Sequence, residues 1–577
     1  MKTLSSILRR ASQTNFGISF YNLSGESRTT SYRDFDARAD LFAHHLIDMG
    51  VQKGEVIALC LITNEFFVEA FFGVLRAGAV PVCSYPPMKL GDHSSWAKRT
   101  SANWNHVGAK RVITEDVLNG LVSHASTLSG IALLTQKNFK KLSPVYELPE
   151  VNSQDLAFLQ FSSGTTGASK AVALTNKAVL ENIEMIVSSF DTHQHSCVSW
   201  LPLYHDMGLV GAFLSSLYVA RPLALIRPDH FLARPRLWLE VLTKTKATIS
   251  VAPNFAFGLC TKRVTSLDGL DLSHWSVALC GAETVHADTL NKFIQKFEAA
   301  HFDPTALTPV YGMAEVALAA TFSSLHEKPR WRRFNMKMLT SEQRAQEVSE
   351  AQDGFVELSS VGRPLKGVEL QILSRDERVC EEGELGEVLL RSPSLMREYF
   401  NDPELTQENI VEGFLRTGDL GFIYEGELYL FGRKKEIIIH KGRNIDPCHI
   451  EISLRDISEI RSGRIAACSA INPASGEEGF YLFAECSSEV GLNENEEKLL
   501  KRKIEAQIVR EAGIKPFEII LLAPGSLPRT SSGKIQRSLV MRLWVSDQLL
   551  PKSTGGIVRF GLLSLTGHLK QLGERLL

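Results

Sequence analysis

Short apolar runs alternate with longer stretches of helical spacing through the first half of the chain, and this alternation restricts the fold most. Ser31–Gly50 places Phe35, Ala39, Leu41, Phe42, Leu46 and Ile47 on one side of a predicted helix. An apolar strand is expected at Val56–Ile62, a helix at Glu65–Ala77 and another strand at Ala79–Ser84. The pattern returns at Asn176–Ser188, Val198–Leu201, Leu223–Ile226, Pro235–Thr243 and Thr248–Val251. Strands separated by helices imply parallel sheets covered on both faces. With 577 residues the chain is too long for one core, so more than one domain is expected.

After Val361 the rhythm changes. Val368–Leu373, Gly386–Arg391, Leu420–Ile423 and Glu427–Phe431 are short, strand-like and punctuated by glycine, which predicts a small β-barrel-like subdomain. The run GRKKE, Gly432–Glu436, then separates a large N-terminal domain, 1–433, from a small mobile α/β domain, 434–546. Leu325–Asp353 is highly charged and long for a plain connection, so it is functional or disordered. In the tail, 547–577, Leu562, Leu565, Leu569, Leu572 and Leu576 share one helical face. A helix packed on its own domain is expected there, with carrier docking or a membrane surface as alternatives.

The net charge of −2 argues against nucleic acid as the main partner. Nine scattered cysteines, with no CxxC pair, suit a reducing compartment. No signal peptide is visible, and the longest uncharged apolar stretch, Met207–Ala220, is too short to span a bilayer. A cytoplasmic protein without a transmembrane segment is expected.

Several segments carry chemistry. FSSGTTGASK, Phe161–Lys170, follows a strand-like run and offers the hydroxyls of Ser162, Ser163, Thr165, Thr166 and Ser169. Gly164 and Gly167 let backbone N–H groups approach an anion, and Lys170 adds a cation, a set suited to polyphosphate. A P-loop would need Gly at Ser169, and a plain polar turn has the same composition. Asp419 in TGDLG could accept both hydroxyl protons of a ribose diol, or could open a type I turn. In YGMAE, Tyr311 could stack on a purine and Glu315 could hold Mg²⁺ beside phosphates; a helix start is the plain alternative. Lys534, in PRTSSGKIQR, could bring positive charge to a reacting phosphate, or simply be solvated. His205 and Asp206 adjoin in LPLYHDMG, but without a GxSxG elbow a hydrolase triad is rejected.

Taken in order, the hydroxyl loop, HDMG, Gly281–Glu283, YGMAE, TGD, GRKKE and the late Gly-Lys loop resemble the adenylate-forming superfamily from about Ser31 to Arg537. SWLPLYHDMGLVG, VAPNFAF, YGMAEVAL and IIIHKGRNIDPCHIE bring the likeness closest to the fatty acyl-AMP ligases. The charged segment Leu325–Asp353 falls where those ligases carry an insertion associated with restrained domain motion and poor use of coenzyme A. Ser169 and Ala171 depart from the usual Pro and Gly of the superfamily's phosphate loop.

The resemblance implies ATP and Mg²⁺ as cofactors, a fatty acid as substrate and the phosphopantetheine arm of an acyl carrier protein as acceptor. It implies that Ser162–Thr166, with Gly167 and Lys170, hold the β- and γ-phosphates, Glu315 the metal, and Asp419 with Arg433 the ribose. Gly281, Ala282, Glu283, Tyr311, Gly312 and Met313 would frame adenine. Lys534 would act on the α-phosphate, His205 would face the carboxylate, and Lys435 would be the hinge. Pro253, Asn254 and Phe255 would line the entrance of an acyl tunnel. The rivals are an acyl-CoA synthetase with an unrelated insertion, a peptide-synthetase adenylation domain and a non-catalytic scaffold.

Overall fold

The structure is a computed structural model that describes residues 2–87, 93–139, 145–162, 170–190, 195–349, 354–440, 443–472, 477–487, 493–529, 535–546 and 548–549. The tail helix expected at 555–577, Lys534 and residues 163–169 of the hydroxyl loop lie outside these residues.

Two large sheets carry the alternation seen in the sequence. From edge to edge, the first runs Glu398–Tyr399, Lys170–Thr175, Leu156–Ser162, Val80–Cys83, Val56–Cys60, Arg111–Thr114, Ala132–Thr135. Its last five strands are parallel, and the first two pair antiparallel. The second sheet has a parallel centre of Leu307–Gly312, Val277–Cys280, Ile249–Ala252, Cys197–Ser199, Leu223–Ile226 and Gly17–Tyr21. Antiparallel strands flank both of its edges.

Every residue of Val56–Cys60 is buried, as a strand covered on both faces requires. The helix Glu65–Arg76 is buried nearly all round, through Phe66, Phe67, Phe71 and Phe72. Truncating such a ring to alanine costs about 3–5 kcal/mol. Asn64 caps that helix by accepting the Phe67 N–H, and Thr175 caps Asn176–Ser188 through the Ala178 N–H. The helix Tyr32–Asp48 buries Phe35, Ala39, Phe42 and Leu46, but Leu41 faces solvent at 45% exposure. The apolar stretch at Met207 forms a buried π-helix, Met207–Leu214, continued by the α-helix Ser215–Tyr218. Among the described residues, no helix is long and apolar enough to cross a membrane.

The β-rich region departs from the barrel expectation. Glu369–Leu373, Gly386–Arg391, Phe414–Tyr424 and Ile410–Val411 form an open sheet, with Glu427–Arg433 also paired to Phe414–Tyr424. The free edge of Glu427–Arg433 is already occupied: the Val361 N–H donates to the Leu428 carbonyl, and the Leu428 N–H to Gly362. The chain entering from the second sheet thus occupies the edge that closure would need.

From Ile438 onward the chain builds separate cores on a three-stranded sheet of Ile460–Ile471, Glu478–Cys486 and Glu518–Leu522. Its long helix, Glu494–Ala512, starts in a capping box of Asn493 and Glu496 and ends at Gly513 with φ +67°.

Candidate active site

The strand Leu307–Gly312 delivers Tyr311 to the carboxyl end of the second sheet. The register shifts between Tyr311 and Gly312, where a Cβ on Gly312 would lie 1.8 Å from the Leu318 carbonyl oxygen. Only glycine fits that approach. Tyr311 is buried, and its hydroxyl donates to Asp419 Oδ2 at 2.7 Å. Asp419 Oδ1 accepts from Arg433 Nε at 2.8 Å, its cross-strand partner on Glu427–Arg433. A carboxylate has about four acceptor positions. Two are used here, so two remain, enough for a vicinal diol. Burial and the adjacent Asp419 charge hold the Tyr311 phenol well above its ordinary pKa, so it stays a donor.

The Gly281–Glu283 turn follows Val277–Cys280, and Ala282 adopts φ +65°, a left-handed conformation rare for alanine. Glu283 accepts the Phe255 N–H at 2.6 Å, and Asn254 accepts the His286 N–H at 3.1 Å. Pro253, Asn254 and Phe255 are thereby laced to the predicted adenine turn. Phe255 meets Trp200 edge-on, with ring centroids 5.9 Å apart. His205 Nδ1 lies 2.6 Å from Asp206 Oδ1, which also accepts the Met207 N–H.

Glu315 sits in the short turn Ala314–Val316, with its Oε1 accepting the Tyr399 hydroxyl at 2.9 Å. Lys170 Nζ lies over the Tyr399 ring, 4.5 Å from its centroid. Burial lowers the Lys170 pKa, opposed by Glu315 and assisted by the cations of Lys435 and Arg433. A half-buried ammonium near two further cations favours a negatively charged partner. Sequence reasoning missed Tyr399, which carries no motif of its own.

These groups line one continuous cleft of about 2940 Å³. Its apolar lining includes Val187, Phe190, Leu201, Met207, Val251 and Leu318. Arg455, Arg464 and Arg529 face the same cleft from the C-terminal part. That volume exceeds a single small-molecule pocket, so the cleft can take a nucleotide and an apolar chain together.

A family model described as AMP-binding enzyme matches residues 9–400. The chain belongs to the AMP-binding enzymes. Its likeness within them runs to the fatty acyl-AMP ligases. A medium-chain-fatty-acid–[acyl-carrier-protein] ligase, JamA of Moorena producens, is 32% identical over 89% of each chain. A Caulobacter vibrioides protein with a provisional acyl-CoA synthetase name is 31% identical over 93% of this chain and 94% of that protein. A structure from work on fatty acyl-adenylate ligases of E. coli and L. pneumophila superposes with a TM-score of 0.88. It is 33% identical and covers 94% of this chain and 98% of that one.

In this AMP-binding enzyme a second cluster, unforeseen from the sequence, lies beside the predicted hinge. Arg537, three residues beyond Lys534, donates from Nη1 to Glu436 Oε2 at 2.5 Å. It also donates from Nε and Nη2 to Glu451, at 3.0 and 2.8 Å. Burial raises Asp446 in the same cluster to about 7. The Cys448 N–H and Arg537 pull that pKa down, while Glu451 and Glu436 push it up. The folded state therefore binds a proton between about pH 4 and 7 that the unfolded chain has released, so stability falls as pH rises through that window. Asp446→Asn is expected to flatten this slope, read as the thermal midpoint from pH 5 to 8; an unchanged slope assigns the effect elsewhere.

Proposed function

We propose that this chain joins a fatty acid to AMP and then passes the acyl group to the phosphopantetheine thiol of an acyl carrier protein. The observation that carries the reading is the Tyr311–Asp419–Arg433 constellation, its tyrosine and aspartate buried, which shares one cleft with apolar side chains such as Val251 and Leu318. JamA, a relative over 89% of each chain, is named for transfer of medium-chain fatty acids to a carrier protein.

In the first step a carboxylate oxygen bonds to the α-phosphorus of ATP, and the bond from that phosphorus to the bridging oxygen breaks. Pyrophosphate leaves with the electron pair. Both reactants are anions, so neutralising charge is the site's main task. Ser162–Thr166, Gly167 and Lys170 would hold the β- and γ-phosphates, and Asp419 with Arg433 the ribose. Gly281–Glu283 and Tyr311–Met313 would frame the base, and His205 would face the fatty carboxylate. Glu315 suits Mg²⁺, which is commonly held by one carboxylate together with substrate phosphates. Bound there, the ion would neutralise the phosphate oxygens and ease departure of pyrophosphate. Lys534 would place a compact charge between the α-phosphate and the carboxylate.

In the second step the carrier thiol, giving up its proton, attacks the acyl carbonyl and AMP leaves. Rotation at Lys435, between segments 1–433 and 434–546, would exchange Lys534 for the face that admits the thiol. The charged insertion opposes free rotation. Phe334, Met336 and Leu339 bury against Phe422, Phe431 and Ile437 just past the hinge. The turn Met338–Glu342 packs beside the C-terminal strand Arg443–Ile445. Leu339→Asp is expected to free the C-terminal part and raise acyl-CoA formation severalfold over wild type. No gain in acyl-CoA, with the protein folded, would remove the insertion from acceptor choice. Fatty-acid-dependent exchange of labelled pyrophosphate into ATP tests the first step directly; its absence across chain lengths from about eight to sixteen carbons, a rough medium-to-long range for an apolar-lined cleft, would overturn the reading.

A further inference from the structure

One stretch of chain ties together the two parts of the cleft that face the phosphates. The Ser394 hydroxyl donates to the Val316 carbonyl at 2.9 Å, and the Met396 N–H to the Glu315 carbonyl at 2.7 Å. A few residues on, the Arg397 N–H donates to Ala173 and the Phe400 N–H to Ala171. Ala171 and Ala173 lie on Lys170–Thr175, the strand that leaves the hydroxyl loop. A single segment thus fixes the Glu315 turn and the Lys170 strand relative to each other.

Tyr399 stands at the centre of this brace. It is only 3% exposed and pairs across the sheet with Val172. Its hydroxyl holds Glu315 Oε1, and its ring face carries the Lys170 ammonium. One phenol therefore touches both charged groups proposed to face the phosphates. With Oε1 holding the Tyr399 hydroxyl, one acceptor position remains there and both remain on Oε2, while rotation of the carboxylate is restrained.

We propose that Tyr399 is a positioning residue that presents Glu315 to the metal and sets Lys170 beside the phosphates. The inference rests on the assignments of Glu315 to Mg²⁺ and Lys170 to phosphate made above. Tyr399 orients these groups without touching substrate. Its two parts are separable: Tyr399→Phe keeps the ring and removes the hydroxyl, whereas Tyr399→Leu removes both.

The test is Mn²⁺ binding, followed by electron paramagnetic resonance, to full-length enzyme with a non-hydrolysable ATP analogue. Tyr399→Phe is expected to weaken Mn²⁺ about tenfold, for the loss of one charge-assisted hydrogen bond. It should raise the Mg²⁺ concentration needed for half-maximal pyrophosphate exchange, with little change in the thermal midpoint. Tyr399→Leu should additionally raise KM for ATP a further severalfold, because Lys170 loses its platform. Glu315→Gln is the control. Unchanged Mn²⁺ affinity in Glu315→Gln overturns the metal assignment itself. Weakened affinity in that control, with wild-type affinity in Tyr399→Phe, overturns the role of Tyr399 alone. A lowered thermal midpoint with unchanged metal dependence assigns Tyr399 a structural role and likewise overturns the proposal.

Discussion

Asp419→Asn is expected to lower kcat/KM for ATP in the adenylation step about 100-fold, with the chain still folded. Asp419 is buried and accepts from both Tyr311 and Arg433, at 2.7 and 2.8 Å. An asparagine supplies one acceptor oxygen and turns an NH₂ toward the second donor. The negative charge that balances Arg433 is lost as well. Each charge-assisted hydrogen bond contributes roughly 1.5–3 kcal/mol, and every 1.4 kcal/mol is about tenfold. The deficit should appear mainly in KM for ATP, since ribose contacts act in ground and transition states alike. Steady-state pyrophosphate release at varied ATP measures it; a value within twofold of wild type would remove Asp419 from the nucleotide site.

The second large effect is selective. Lys534→Ala should lower acyl-adenylate formation by about 100- to 1000-fold, the scale for removing one preorganised electrostatic partner of a developing charge. Transfer from acyl-adenylate supplied ready-made should change little, because the role proposed for the lysine precedes that step. Parallel loss in both half-reactions would point to a folding defect, and circular dichroism would distinguish that case. Arg537, three positions further along the chain, bonds Glu436 beside the predicted hinge and Glu451 beyond it.

Much of the scaffold was legible because local patterns decide it. Asn176–Ser188, Leu223–Ile226 and Gly386–Arg391 appear with the predicted boundaries. The parallel sheets followed from strands that are apolar throughout, as Val56–Cys60 is. Leu41 was misplaced because a helical stripe of apolar residues is wider than the face that packs. The barrel failed for a non-local reason, since the chain at Ser360–Gly362 claims a strand edge that periodicity cannot see.

The site divides in the same way. Tyr311, Glu315 and Asp419 sit in short Gly-punctuated motifs and could be named from sequence. Tyr399 meets Glu315 from 84 positions away, and Arg537 meets Glu451 from 86. Neither partner carries a local signature. Their roles arise only when the sheets bring those segments together.

The most direct measurement is mass spectrometry of the products from full-length protein, ATP, Mg²⁺ and dodecanoate, with coenzyme A or a phosphopantetheinylated carrier protein as acceptor. Dodecanoyl-AMP should persist beside coenzyme A and be consumed when the carrier protein is added, which gains the acyl mass. Rapid formation of dodecanoyl-CoA, with no preference for the carrier, would contradict carrier-directed acyl transfer and identify an acyl-CoA synthetase instead.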